Sequence, residues 1–243
     1  LSLFLSLLSQ AMSSPEEWYR SLPPVTRYYA TLAFAATALF QAQILDARLL
    51  ILDVDAVVTN LELWRLATNF LFFGGFGFPF VMSMFFLVRY TKELETKRFE
   101  HRTADFLWAM MLMGAIMILV AFLVTGSPVL SQAMLSAIVY IWSREYAETV
   151  LSVFGLFQVQ GFYWPWVLVA LRMLMGGSPV DDLVGIFAGH VYYFAEDVQG
   201  VRLNAPALLR DYLDGPPRGA PAAQHRGVFG GHQWGGGGQR LGG

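Results

Sequence analysis

The chain has no cysteine and few charged residues. Its 243 residues include 16 Lys and Arg and 18 Asp and Glu, so 14% are charged, against about 25% in a typical soluble domain. Without cysteine there is no disulfide framework, no thiol nucleophile and no cysteine-based metal site. A net charge of −2 with no long basic run gives no indication of nucleic-acid binding. Nothing in the sequence implies a metal ion or an organic cofactor.

Hydrophobic residues are abundant instead. They make up 56% of the chain, aromatic residues make up 15%, and the mean hydropathy is +0.48. Aromatic side chains are frequent where membrane helices meet lipid headgroups. This composition predicts an all-α polytopic membrane protein.

Six apolar segments are candidate membrane spans. They cover residues 28–45, 69–88, 105–124, 128–142, 157–175 and 180–194. Thirteen of the 16 Lys and Arg fall on one side of these spans, and only Arg48, Arg65 and Arg172 fall on the other. The positive-inside rule then predicts that both termini are cytosolic.

Two of the predicted spans are short. Between Asp182 and Glu196 only 13 residues are uncharged, and the fourth span carries Ser131, Gln132 and Ser136. A helix of about 15 residues covers about 20–23 Å of a hydrocarbon core of about 30 Å. Such helices either lie inside the bundle, shielded by their neighbours, or thin the surrounding bilayer.

The ends of the chain differ from the middle. Residues 1–12 are interpreted as an upstream extension with Met12 as the start, or as a signal segment with a cleavage site at residues 9–11. Residues 13–200 form the predicted membrane domain. Residues 201–243 are predicted to be a flexible cytosolic tail, because residues 205–243 hold 11 of the 23 glycines and no long apolar run.

Two short motifs in the membrane domain are candidate functional sites. Trp64-Arg65 precedes the second span, where an arginine can reach headgroup phosphates or loop carbonyls and an indole can anchor the loop. Gly185 and Gly189 lie on one face of the sixth span and would allow close helix packing. His190 follows them, and a histidine buried in a membrane needs a partner or has a catalytic role.

A serine protease site is not recognisable. Ser127 and Ser131 lie where a rhomboid protease would carry its nucleophile, but neither is in a Gly-x-Ser-Gly setting. The sequence therefore predicts no protease activity. The alternatives are an active intramembrane protease that uses Ser127 or Ser131 with His190, and a small-solute transporter or channel suggested by the glycine-interrupted second span.

The last residues of the chain contain isolated bulky side chains among glycines. They are interpreted either as a short linear docking motif or as incidental residues of a low-complexity tail. The candidate docking residues are Trp234, Gly235, Gly237, Arg240, Leu241 and Gly242.

Seven stretches together resemble the derlin family, and plant derlins in particular. They are SPEEWY at 14–19, LPPVTR at 22–27, WRLATNF at 64–70, RTADFLW at 102–108, YIWSRE at 140–145, FYWPW at 162–166 and GHVYYF at 189–194. The resemblance covers about residues 13–200. Ala47 to Leu61 carries no diagnostic motif.

The resemblance implies a rhomboid-like bundle of six transmembrane helices in the endoplasmic reticulum membrane. Derlins are pseudoproteases that help move misfolded client proteins to the cytosol for degradation. A ubiquitin-ligase complex is an expected partner, and the sequence leaves open whether the protein acts as a monomer, as a homo- or hetero-oligomer, or as half of a channel with the ligase. The family's Trp-Arg motif falls on Trp64 and Arg65, and its Gly-x-x-x-Gly motif on Gly185 and Gly189. The tail resembles the family's SHP box, which docks the valosin-containing AAA ATPase, although the glycine spacer lacks a second bulky residue before Arg240.

Overall fold

The structure, a computed structural model, describes residues 15–153 and 157–215. That part of the chain is mostly helical. Its α-helices are α1 Pro15–Arg20, α2 Pro24–Gln41, α3 Val54–Thr59, α4 Arg65–Thr68, α5 Phe78–Glu93, α6 Thr103–Val120, α7 Ser131–Glu145, α8 Trp164–Leu174, α9 Val180–Tyr193 and α10 Ala207–Leu213. Two strands, β1 Val150–Val153 and β2 Phe157–Gln160, pair antiparallel.

Short turns of other helix types join these elements. 3₁₀ turns cover Ala47–Leu49 and Gly161–Tyr163. π-helical turns extend α5, α6 and α9 over Leu94–Arg98, Ala121–Thr125 and Phe194–Val198.

Helix α7 lies at the centre of the bundle. Twelve of its 15 residues are buried, and α5, α6, α8 and α9 all pack against it. Its short length is therefore explained by shielding, because a helix surrounded by other helices does not need to match the lipid thickness itself. Helix α9 is different, since it buries one face and exposes Leu183, Phe187 and Val191 on the other.

Helix α6 is apolar on every side. With its π-helical extension it covers Thr103–Thr125, 23 residues with a mean hydropathy of 2.6. Within the described ranges it is the one helix long and apolar enough by itself to cross a membrane.

Two of the predicted spans differ from the helices observed. The second was expected to begin at Asn69, but α5 begins only at Phe78, because Gly74 takes a left-handed conformation (φ 85°) and Pro79 favours a first helical turn. The fifth was expected from Phe157, but residues 157–160 form β2 and α8 begins at Trp164. The apolar run counted as helix is partly a strand, which hydropathy alone does not distinguish.

The chain also stays ordered beyond the predicted start of the tail. The backbone N–H of Ala205 donates to Asp105 Oδ1 at 2.7 Å, and the N–H of Ala104 donates to Asp214 Oδ1 at 3.1 Å. These bonds join α10 to the start of α6, so the first part of the tail predicted from residue 201 contacts the bundle, and the predicted flexibility of the tail stays a prediction. The glycines on which it rested begin mainly after Gly215.

A buried carboxylate joins α2 to the end of α5. Glu95 accepts hydrogen bonds from the backbone N–H groups of Val25 and Thr26 and from the Thr26 hydroxyl, each at 2.8 Å. It supplies the acceptor that the first turn of a helix otherwise lacks.

Basic and acidic side chains from three segments meet at one end of the bundle. Arg98 donates to Glu145 at 2.9 Å, to Glu196 at 3.3 Å and to Asp197 at 2.7 Å. Burial by itself would lower the pKa of Arg98, but the hydrogen bonds and charges of the three carboxylates raise it above its usual value. We call these four residues the Arg98 cluster.

Candidate functional site

A cavity of about 430 Å³ lies between α5, α7 and α8. Its walls are mainly apolar, with Phe86 from α5, Leu135 from α7 and Leu168 from α8. Polar side chains lie among them. They are Ser83, Ser131, Gln132, Ser136, Arg172 and Asp181.

Four of these polar groups form a connected network around Asp182, which is 2% exposed. Arg172 Nη1 donates to both of its carboxylate oxygens at 3.2 Å, Ser136 Oγ donates at 2.6 Å, and Gln132 Nε2 donates at 3.3 Å. Ser83 Oγ extends the network to α5 by donating to Gln132 Oε1 at 3.3 Å. We call these five residues the Asp182 network. It links four helices, and its ion pair joins the buried Asp182 to the partly exposed Arg172.

Local sequence explains how the network assembles. Gln132 and Ser136 are four residues apart, so they share one face of α7. Asp182 lies in the first turn of α9 and Arg172 in the last turn of α8, where the helix dipole favours an acid and a base respectively. Gly177 allows Arg172 to fold back, because a Cβ there would lie 2.7 Å from Arg172 Cγ.

The two predicted glycines lie where α9 approaches α7. A Cβ on Gly185 would overlap the backbone of Ala133, and one on Gly189 would lie 3.1 Å from the carbonyl oxygen of Ala137. The helices are therefore in backbone contact at Gly185, as small-xxx-small motifs permit. This approach brings Asp182 within reach of Ser136.

The two side chains of the Trp64-Arg65 motif lie in different surroundings, one buried and one exposed. Arg65 is 6% exposed and holds the preceding loop. Its Nε donates to Glu62 Oε2 at 2.6 Å, and its Nη1 donates to the carbonyls of Ile51, at 3.0 Å, and Arg48. Headgroup phosphates and loop carbonyls were both considered as partners of Arg65, and the structure shows loop carbonyls. Trp64 is 52% exposed and points away from the bundle, as an interfacial anchor would.

The segment that follows Arg65 connects this residue to the cavity. The N–H of Leu130 donates to the carbonyl of Asn69 at 3.3 Å, and Ser131 Oγ donates to the carbonyl of Phe72 at 2.6 Å. Phe72 lines the cavity. Arg65 therefore supports one rim of the cavity rather than its interior.

His190 lies apart from the serines considered as nucleophiles. It is exposed, not buried as its place in the sixth span led us to expect, and its Nδ1 is hydrogen-bonded to the Tyr140 hydroxyl at 2.7 Å. Ser127 Oγ donates to Asp181 at 2.6 Å, and Ser131 Oγ is bound to a carbonyl. The structure brings neither serine to His190, so the nucleophile–base contact of a serine protease is not formed there.

The residues of this site all lie within a region that matches a known family. The sequence matches the Der1-like family over residues 22–211. The chain belongs to the Der1-like family. The resemblance to derlins is thereby confirmed.

Several plant derlins are similar to the chain over most of its length. Derlin-1 of Oryza sativa subsp. japonica is 43% identical over 207 residues, which cover 84% of this chain and 83% of that protein. Derlin-1.1 of Zea mays is 43% identical over 185 residues, covering 75% and 76%. Derlin-1 of Arabidopsis thaliana is 38% identical over 207 residues, covering 84% and 76%.

Some site residues of this Der1-like chain were not singled out by sequence reasoning. Ser83 was not considered, and Arg172 and Asp182 were counted only in assigning the topology and the length of the sixth span. The spacing of Gln132 and Ser136, four residues apart in a short apolar segment, was a usable signal for a shared polar face on that helix. The predicted ATPase-docking residues, from Trp234 to Gly242, lie outside the described residues.

Proposed function

We propose that this Der1-like protein is a non-proteolytic component of the endoplasmic reticulum membrane that helps misfolded proteins pass from the lumen or membrane to the cytosol for degradation. The observation that carries the proposal is the cavity between α5, α7 and α8 with the Asp182 network on its wall. Ionisable groups inside a membrane are costly and usually mark a functional path.

The proposal includes six membrane spans, formed by α2, α5, α6, α7, α8 and α9. Exposed apolar side chains on these helices support contact with lipid, among them Leu32 on α2, Phe85 on α5 and Phe187 on α9. The short spans are consistent with six membrane crossings. Helix α7 is shielded by neighbours, and α8 and α9 carry the charged residues that lower their hydropathy.

Both termini are proposed to be cytosolic. The Arg98 cluster joins the 89–102 loop, the end of α7 and the end of α9 at one end of the bundle. At the other end, Leu52 N–H donates to the Pro128 carbonyl at 2.7 Å, and Ser127 meets Asp181. The end with the Arg98 cluster carries most of the basic residues and therefore faces the cytosol by the positive-inside rule.

The cavity offers a polar chain an alternative to lipid. A backbone group without a hydrogen-bond partner costs several kcal/mol in hydrocarbon, and Gln132, Ser136 and Ser83 provide partners inside the bundle. Helix α8 has 11 residues, which span about 17 Å and would leave a thinned bilayer beside the cavity. Both features lower the barrier to a polar segment.

The proposed partners act at the cytosolic end. They are the valosin-containing AAA ATPase, docked at residues 234–242, a ubiquitin-ligase complex, misfolded clients, and further copies or relatives of this chain. The attachment of α10 to the start of α6 supports a cytosolic exit for the tail, because α6 begins at the end that carries the Arg98 cluster.

A degradation chase tests the proposal. Derlin-deficient cells expressing a misfolded lumenal reporter would receive the wild-type chain or Gln132→Leu/Ser136→Ala, which removes polar groups from the cavity wall. We expect the wild-type chain to shorten the half-life of the reporter and the double variant to do so much less.

Ser143→Ala is the matched control. Ser143 is buried in the same helix, but its hydroxyl donates to the Tyr140 carbonyl, away from the cavity. Equal rescue by the double variant and the control, at equal membrane abundance, would refute the role of the cavity. No rescue by the correctly inserted wild-type chain would refute the function itself.

A further inference from the structure

Arg144 occupies an unusual position at the last turn of α7. Its guanidinium carbon lies 4.5 Å from the centre of the Tyr140 ring and 4.1 Å from the centre of the Phe162 ring. The two rings come from two of the stretches on which the family resemblance rests, YIWSRE and FYWPW. Both distances are within the range of cation–π contact.

This arginine differs from the other buried or partly buried arginines in its partners. Arg65, Arg98 and Arg172 each pair with at least one carboxylate. Arg144 forms no ion pair with any carboxylate in the described ranges, and its Nε is buried without a hydrogen-bond partner. The neighbouring Glu145 is committed to Arg98. Aromatic rings do not neutralise the charge, so a partly desolvated cation is left without a counter-ion.

The surroundings of Arg144 resemble the boundary between lipid and water. Glu145, the next residue, belongs to the Arg98 cluster at the proposed cytosolic end. Phe162, Tyr163 and Trp166 are exposed beside it, and exposed aromatic residues near a helix end are typical of the headgroup level. Below Tyr140, the side chains of Val169 and Ile186 form an apolar cluster with it.

We propose that Arg144 binds the headgroup phosphate of an anionic glycerophospholipid in the cytosolic leaflet. The guanidinium of Arg144 can form two parallel hydrogen bonds, which match the oxygens of a phosphate. The exposed aromatic side chains give the acyl chains an apolar surface, which free phosphate would not use. The inference requires that the bundle lies in a membrane and is independent of retrotranslocation.

His190 has a positioning role in this site. Its hydrogen bond holds the Tyr140 hydroxyl, and the two rings meet edge to face with centres 5.8 Å apart. Tyr140 in turn supports one face of Arg144. In this proposal, the positioning of Tyr140 is the role of His190, an exposed histidine that no serine approaches in the described part of the chain.

Lipid binding to the full chain in mild detergent tests the proposal. Native mass spectrometry would compare phosphatidylglycerol, whose phosphate is its only charged group, with phosphatidylcholine for the wild-type chain, Arg144→Gln and Arg144→Lys. We expect the wild-type chain to prefer phosphatidylglycerol by about tenfold, the effect of about 1.4 kcal/mol. Arg144→Gln should lose this preference, and Arg144→Lys should lose part of it because an ammonium lacks the planar fork.

Arg89→Gln is the matched control. Arg89 is exposed towards the same end and lies over a single ring, 5.8 Å from the centre of Tyr90, so its loss should leave the preference unchanged. Retained preference in a folded Arg144→Gln variant would overturn the proposal. Competition by inorganic phosphate at the concentration of the lipid would overturn the assignment to a lipid.

Two further variants keep the test decisive. If Arg144→Gln does not fold, Phe162→Leu removes one stacking ring while the charge remains, and an unchanged lipid preference in that variant would count against the site. His190→Phe should reduce the preference for phosphatidylglycerol at an unchanged unfolding temperature, which a purely structural role would not produce.

Discussion

The Arg98 cluster and the Asp182 network use the same chemistry in different surroundings. Each joins three or more segments through an arginine and its carboxylates. The carboxylate side chains of the Arg98 cluster are 20–40% exposed, whereas that of Asp182 is 3% exposed, although Arg172 itself is more exposed (27%) than Arg98 (12%). Exposed pairs contribute little and are screened by salt, while a buried pair carries a large desolvation cost. A structural role in joining three segments is enough to explain the Arg98 cluster. The desolvation cost of the Asp182 network calls for a functional reason.

The largest effect is expected when the buried pair is broken. Arg172→Met leaves the Asp182 carboxylate without its cation and should lower the free energy of unfolding by about 3 kcal/mol. Thermal unfolding in detergent measures this loss.

The double variant Arg172→Met/Asp182→Asn separates the charge from the packing. It leaves no fully buried carboxylate without a cation, because Asp181, which also lies 3.7 Å from Arg172, is partly exposed and accepts from Ser127. It should therefore recover most of the lost stability without restoring reporter degradation. Recovery of both stability and degradation would mean that the ion pair is only structural.

The next largest effect concerns the contact that brings Asp182 to α7. Gly185→Ala places a Cβ against the backbone of Ala133 and should lower the free energy of unfolding by about 1–3 kcal/mol. The control is Gly189→Ala, where the nearest atom is 3.1 Å away and a small shift suffices. Equal effects of the two substitutions in a thermal unfolding series would show that the contact at Gly185 is not the tighter one.

A smaller effect is expected at the Arg98 cluster. Arg98→Gln should lower the free energy of unfolding by about 1 kcal/mol, and the difference from the wild-type chain should shrink as salt is added. Unfolding temperatures over a series of sodium chloride concentrations measure this dependence. If the loss in free energy of unfolding did not depend on salt, the Arg98 cluster would behave like the buried Asp182 network, and the two would not differ in this respect.

The smallest effect concerns the attachment of α10. Asp214→Ala removes the acceptor for the Ala104 N–H and should cost about 0.5–1 kcal/mol, as loss of a helix cap does. Faster hydrogen exchange at residues 207–213, with α6 unchanged, is the expected result. Unchanged exchange would show that Asp105 alone holds this segment.

Sequence reasoning recovered the apolar helices better than the elements between them. Helix α6 is uniformly apolar, and α9 begins at Val180 as predicted, after Pro179. The β1–β2 pairing escaped prediction because residues 157–160 were counted with the apolar helix that follows, although the alternation of apolar and polar residues in FQVQ is a strand pattern. The start of α5 at Phe78 depends on a left-handed glycine, which a hydropathy window does not register.

The candidate site was harder to predict, for a physical reason. Gln132 and Ser136 share a helix face, which spacing can indicate, but Asp182 and Arg172 join them only after three helices have packed. The same holds for Arg144, whose stacking on Phe162 joins residues 18 positions apart in the chain. Membership of the Der1-like family came from the order of several stretches, none of which is distinctive alone.

The Glu95 contact has a mechanical consequence for the cavity. Because Glu95 ties α2 to the end of α5, these two helices are expected to move as one body. Among the described helices, α8 packs mainly on α7, and its ion pair to Asp182 of α9 lies at its last turn. Any widening of the cavity would therefore displace α8, with the Gly176-Gly177 turn as its hinge, while the α2–α5 side stays fixed.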